Sequence, residues 1–141
     1  MLKFGASMFF TDYSMAPGEL GQALESRGFE SVWAPEHSHI PLSRKTPFPA
    51  GGDLPKKYYD AMDPFVTLTA AAVATKTLQI GTGICLIAQR DPIQTAKLVA
   101  SIDQVSGGPT PPDRLEWASR RRPWQLADRP LAQLRWHAAG L

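Results

Sequence analysis

Phe29-Glu30-Ser31-Val32-Trp33-Ala34-Pro35-Glu36-His37-Ser38-His39 is the stretch from which the fold is read. Residues 29–34 are mostly apolar, β-branched or aromatic and suit a buried strand. Pro35 ends the run, and a carboxylate and two imidazoles follow within four residues. In proteins built from βα units, reactive side chains collect where a strand gives way to its loop. The stretch therefore reads as the second strand of such a protein, with its chemistry at the C-terminal end.

Upstream, residues 2–10 form a mostly apolar run with aromatics, expected as a strand buried on both faces, as parallel strands are. Thr11-Asp12-Tyr13-Ser14 is a polar loop. Pro17 suits the first position of a helix, Glu19 favours its first turn, and Leu20, Ala23 and Leu24 supply one face. Gly28 sits where a helix-ending glycine belongs. Downstream, residues 40–60 form a long loop rich in Pro, Gly and Lys, a length usually associated with function or mobility. Asp63-Pro64 starts a second helix, with Phe65, Leu68, Ala71, Ala72 and Thr75 as its buried face. Residues 78–87 read as a third strand. Asp91-Pro92 repeats the Asp-Pro start 28 residues after the first. Ile93, Ala96, Val99 and Ala100 form the inner stripe of a third helix, which Gly107-Gly108 stop.

The order βαβαβα implies a parallel sheet with right-handed crossovers, which could open a doubly wound sheet or a TIM-type barrel. No Gly-x-Gly-x-x-Gly follows the first strand, which argues against a dinucleotide-binding start. The expected fold class is α/β, a partial TIM-type (β/α) barrel with three N-terminal βα units in residues 1–108.

The 141 residues are 43% hydrophobic and 20% charged, as in a soluble globular domain. Residues 1–108 carry 9 Lys and Arg against 10 acids, so the formal charge of +2 comes from residues 109–141. Cys85 is the only cysteine, which rules out an intrachain disulfide and suits a reducing compartment. With no signal-peptide pattern and no apolar run of spanning length, a cytoplasmic location is expected.

Glu36, His37 and His39 are the leading candidates for chemistry. Imidazole titrates near neutrality, and a neighbouring carboxylate can orient it. Two other readings stay open. His37 and His39, alternating on an extended strand, would face one side and could share a metal with Asp12 or Asp60. They could also be loop histidines without a task. Gly81-Thr82-Gly83 would let the backbone approach a flat ring, or would form a bulge. Arg90, just before the third helix, could add charge to a phosphate site at its N-terminus. Arg44, Lys45, Lys56 and Lys57 make the long loop basic, as a solvated loop or as a lid over an anionic cofactor tail. Cys85 is expected in the core.

The ordered set Phe-Glu-Ser-Val-Trp-x-Pro-Glu-His, Asp-Pro-Phe-x-x-Leu-x-x-Ala-Ala, Leu-x-Ile-Gly-Thr-Gly and Arg-Asp-Pro-x-x-x-Ala-Lys resembles the N-terminal part of luciferase-like monooxygenases. It looks most like the actinobacterial subgroup that uses the deazaflavin coenzyme F420. The resemblance implies a barrel whose deazaflavin, or alternatively FMN, lies across the C-terminal ends of the strands. It assigns His37, after Glu36, to contact with the ring and to proton transfer. It assigns Gly81, Thr82, Gly83 and Ile84 to cofactor binding, with a non-prolyl cis peptide at Gly83-Ile84 in many members. The implied activity is hydride transfer or oxygenation on a small-molecule substrate. No metal, nucleic acid or membrane is implied, and full-length members often form homo-oligomers.

The resemblance stops at Gly108. Residues 109–141 contain 5 Pro, 6 Arg and 3 of the 4 Trp, but no Val, Ile, Phe or Tyr, and cannot supply the family's fourth strand. A natural basic tail that binds RNA or membrane is one explanation, and an amphipathic helix over residues 126–136 is another. The preferred one is a shifted reading frame in a GC-rich gene. Arg114-Leu115-Glu116 is encodable as CGG-CTG-GAA, which out of frame reads Gly-Trp-Asn, residues that the family places after that strand. The expectation is an N-terminal portion, inactive or nearly so by itself. The alternative is a non-enzymatic fragment or partner-binding half-barrel.

Overall fold

The structure, a computed structural model, describes residues 2–43 and 45–107. The tail at 109–141, and the expectation of a shifted frame, lie outside the described residues. Three strands and three helices alternate: β1 (Gly5–Ser7), α1 (Pro17–Ser26), β2 (Ser31–Ala34), α2 (Pro64–Val73), β3 (Gln79–Thr82) and α3 (Pro92–Val105). Short 3-10 turns lie at Lys56–Tyr58 and Ile87–Gln89. The sheet is parallel in the order β1-β2-β3, with Ala6 opposite Val32 and Val32 opposite Ile80. The parallel sheet and alternating helices are those expected from the element order, and the sequential strand order is that of a TIM-type barrel's first three units.

The helices begin and end for local reasons. Asp63 Oδ1 accepts from the backbone N–H groups of Phe65 and Val66 (2.8 and 3.2 Å), and Pro64 occupies the first turn. Asp91 does the same for Gln94 (2.8 Å) ahead of Pro92. Each cap satisfies donors that a helix leaves free, worth about 1 kcal/mol. After α1 the chain reverses at Gly28, whose φ of 75° is the left-handed conformation expected of a glycine there.

α1 and α2 cover the face formed by Val32, Ala34 and Ile80, all 2% exposed or less, and α3 packs against α2. From α2, Phe65, Leu68, Ala71 and Ala72 close onto it, as the sequence predicted, and Thr75 is buried beside them. Large side chains buried this way contribute about 1.5–3 kcal/mol each. Among the described residues no helix is long and apolar enough to cross a membrane.

Three expectations are corrected. The first strand is three residues long rather than nine, and it is not buried on both faces: Leu2 and Phe4 are 79% and 58% exposed. Among the described strands β1 pairs only with β2, so its length and cover come from one neighbour. The third strand ends at Thr82 rather than at 87, where the chain leaves the sheet for the turn at Ile87–Gln89. Ile93 of α3 is 70% exposed, while Ile102 is buried and Val99 packs against the core. The helix thus docks through its C-terminal half.

The opposite face of the sheet carries Trp33. Trp33 Nε1 donates to Ser31 Oγ (2.9 Å), so the indole lies along the sheet instead of standing off it. A Cβ on Gly81 would fall 2.9 Å from Trp33 Cη2, and closer still to Cζ3 and Cε3. A Cβ on Gly5 would meet Ser31 Oγ and lie 2.9 Å from Trp33 Nε1. The indole therefore fills the room that both flanking glycines leave.

Candidate functional site at the C-terminal end of the sheet

β2 ends at Ala34, so Glu36, His37 and His39 lie on the following loop and not on an extended strand. The alternation that would have aimed both imidazoles at one metal does not hold. His39 is exposed, with Nδ1 2.9 Å from Ser38 Oγ, which donates to Gln89 Oε1 (2.5 Å). Asp60, one candidate third ligand, accepts from Tyr13 Oη (3.0 Å) and pairs with Lys56. Among the described residues no group of three or more His, Cys, Asp or Glu side chains gathers as a metal site would.

Glu36 turns inward and is 3% exposed. Its Oε2 accepts from the backbone N–H of Leu86 (2.6 Å) and its Oε1 from Arg90 Nε (2.6 Å). Arg90 Nη2 also pairs with Glu36, and donates to Asp63 Oδ2 (2.7 Å). The guanidinium lies over the Phe65 ring, 4.4 Å from its centroid. Arg90 thus faces Glu36 and the α2 cap, a different task from the phosphate site considered for it. A buried carboxylate this close to a cation has its desolvation cost offset. The same cluster reaches Cys85, half-buried against the core, whose thiol is pushed up first by burial and then by the Glu36 charge.

His37, the next residue, points into aromatic surroundings. Its ring stacks on Phe9 (centroids 5.9 Å apart, planes 16° apart) and meets Tyr58 edge-on (5.0 Å, 73°). Phe9 and Phe48 both pack on Tyr58, at 4.8 and 5.6 Å. Partial burial lowers the His37 pKa from its ordinary 6.5, with the Glu36 charge opposing more weakly. Burial thus favours the neutral imidazole, the form able to accept a proton. His37 borders a depression of about 400 Å³ with Glu36, Ser38, Asp63, Gln89 and Arg90.

The glycine segment divides. At Gly81 the Trp33 indole covers the backbone on one face of the sheet. Thr82 is 7% exposed and, opposite Ala34 in the register, shares the helix-covered face. Gly83 is different. Its N–H continues the ladder to Ala34 O (2.8 Å), and a Cβ there would meet only that oxygen, at 3.8 Å. Ile84 beside it is 51% exposed. Open space beside a backbone, an exposed apolar side chain and an imidazole at the same end of the sheet suit a flat heterocycle.

The long loop is tied to the site. Phe48 and Tyr58 reach the His37 cluster, and Lys57 Nζ sits 4.6 Å from the Phe9 centroid. Lys56 lies over the Tyr13 ring (4.8 Å) and pairs with Asp60. Sequence reading missed Phe9, Phe48 and Tyr58 as site residues, and gave Asp63 only its capping role. The aromatic density of residues 2–10 and of Lys56-Lys57-Tyr58-Tyr59 was visible, but nothing local paired one with the other.

Residues 16–108 match the family model described as luciferase-like monooxygenase. An uncharacterised protein of Mycobacterium tuberculosis is 36% identical over 110 residues, a match that takes in 76% of this chain and 39% of that protein. Among solved structures, the coenzyme F420-dependent tetrahydromethanopterin reductase of Methanopyrus kandleri is similar with a TM-score of 0.57 and 26% identity, over 82% of this chain and 26% of that one. Monooxygenase RslO1 of Streptomyces bottropensis is similar with a TM-score of 0.59 and 25% identity, over 82% and 32%. The chain thus spans about two fifths of the length of the curated relative, or less for the solved structures.

Proposed function

Because the chain belongs to the luciferase-like monooxygenase family, we propose that it forms the His37 end of an oxidoreductase that uses a deazaflavin of the F420 type on a small organic substrate. The observation that carries this reading is a half-buried His37 set among aromatic rings on the loop after β2, with open backbone at Gly83 just past the neighbouring strand. Likeness to an F420-dependent reductase supports the choice of cofactor.

Bound there, a deazaflavin supplies a centre that gives or takes hydride and reacts poorly with oxygen. His37 would lie against the ring, and its imidazole would take up or return a proton there, a task for a base that is unprotonated at working pH. Glu36 acts on His37 instead of on the substrate, since both its oxygens are held by Leu86 and Arg90. Gly83 and Ile84 give the ring room and an apolar surface, while Gly81 and Thr82 serve by holding the strand in place. Likeness to a monooxygenase supports a second reading, oxygenation of the substrate.

The 141-residue chain alone is expected to turn over little or no substrate. A closed barrel of this type takes about 250 residues, and loops from all eight units build its substrate pocket. Binding of F420 and of FMN to the purified chain, followed by fluorescence or calorimetry, tests the reading. F420 is expected to bind in preference to FMN, and His37→Ala to weaken it about tenfold, equivalent to about 1.4 kcal/mol. Preference for FMN, or binding indifferent to His37→Ala, would overturn the assignment. Sustained turnover by the isolated chain would overturn the expectation of inactivity.

A further inference from the structure

The Glu36–Arg90 pair is more than a stabilising contact requires. A buried ion pair often adds little to stability compared with apolar side chains of the same volume. This one is also placed with economy: Glu36 immediately precedes His37, and Arg90 is the last residue before the Asp91 cap of α3. One guanidinium reaches the loop after β2 through Glu36 and the start of α2 through Asp63. Phe65, on the first turn of α2, supplies a flat surface beneath it. Glu36 in turn holds the segment after β3 through the Leu86 N–H.

The charges around His37 give this arrangement a consequence. Glu36 lies beside it on its own loop. Asp63 and Arg90 line the same depression from α2 and from the segment before α3. Lys57 sits over the Phe9 and Tyr58 rings that flank the imidazole. An unpaired Glu36 carboxylate would draw a proton onto the adjacent imidazole, and Arg90 faces that carboxylate directly.

We propose that Arg90 is the positioning residue of the His37 site: by holding Glu36 and Asp63 together it fixes the loop that presents the imidazole and offsets the carboxylate charge beside it. This rests on the reading of His37 as the reactive side chain, but its test does not require the cofactor.

The test is a histidine titration of the 141-residue chain by ¹⁵N NMR, with His37 identified by its loss in His37→Ala. Arg90→Gln is expected to raise the His37 midpoint by about one pH unit, the size expected when a neighbouring carboxylate loses its partner. Arg90→Lys restores the charge and is expected to bring the midpoint back most of the way. Glu36→Gln and Asp63→Asn together with Arg90→Gln remove all three charges and are expected to leave the midpoint at or below that of the wild type. An Arg90→Gln midpoint unchanged in a folded chain overturns the proposal, as does Arg90→Lys behaving like Arg90→Gln. Where Arg90→Gln does not fold, the uncharged triple variant decides: a midpoint above the wild-type value overturns the proposal. A chain that fails to bind F420 yet shows these shifts contradicts the functional reading and leaves the role of Arg90 intact.

Discussion

At the scale of single residues, the site depends on what stands next to what across strands. Gly81 illustrates this. Read along the chain, Gly81-Thr82-Gly83 suggests one glycine-rich surface offered to a ligand. Across the sheet, Gly81 faces Trp33 and only Gly83 faces open space. Gly81→Ala would push a methyl group into the indole and is expected to destabilise the chain by about 1–3 kcal/mol, the usual cost of overpacking. Urea unfolding measures this, and a variant as stable as the wild type would show that the indole moves aside freely. The two glycines could not be told apart from composition, because the distinction comes from register. The partnership of Glu36 with Arg90 was hidden for a similar reason: the residues are 54 apart, and the signal local to Arg90 pointed to the helix start beside it.

At the scale of elements, the legible parts were those whose causes are local. Asp63-Pro64 and Asp91-Pro92 cap α2 and α3 as read, because an N-cap needs only residues two or three positions away. The extent of β1 and the docking of α3 were not legible, since strand length and helix burial are set by neighbours. One inter-element contact escaped notice altogether. Glu25, at the end of α1, has one carboxylate oxygen accepting from the backbone N–H groups of Lys76, Thr77 and Leu78, and from Thr77 Oγ1. Burial alone would raise its pKa, but these hydrogen bonds together hold it below the ordinary 4.5. The carboxylate binds fewer protons in the folded chain than in the unfolded one. Its contribution is therefore complete above pH 4.5, erodes as the pH falls, and is lost once the pH passes the lowered folded value. Glu25→Gln is expected to cost about 1 kcal/mol at pH 7, discounted for the exposure of the group, and much less at about pH 3. Urea melts at the two pH values check it, and a cost that does not change with pH would remove the role of the charge.

At the scale of the molecule, α1 and α2 cover one face of the sheet, and β1 and β3 each have a single described partner. Unpaired strand edges are templates for further pairing. The chain on its own is expected to self-associate as concentration rises, and sedimentation velocity over a hundredfold range of concentration measures this. A single monomeric species throughout would show that the edges are protected. The order and parallel sense of the strands followed from the alternation of patterns along the sequence. The site followed only in part, because His37 takes its surroundings from Phe9, Phe48 and Tyr58, delivered by two other segments.

The Trp33 indole also works as a key for alignment. Adjacent strands can slide by two residues and keep every side chain on its proper face, so inside-outside patterning does not forbid that error. Here a bulky ring on the middle strand needs a vacant position on each side, and Gly5 and Gly81 supply them. Moving β1 by two residues in either direction would place Lys3 or Ser7 where Gly5 stands, and moving β3 one way would bring in Gln79. The indole thus proofreads the sheet as it assembles, and by holding β3 in step with β2 it brings Gly83 level with the loop that carries His37.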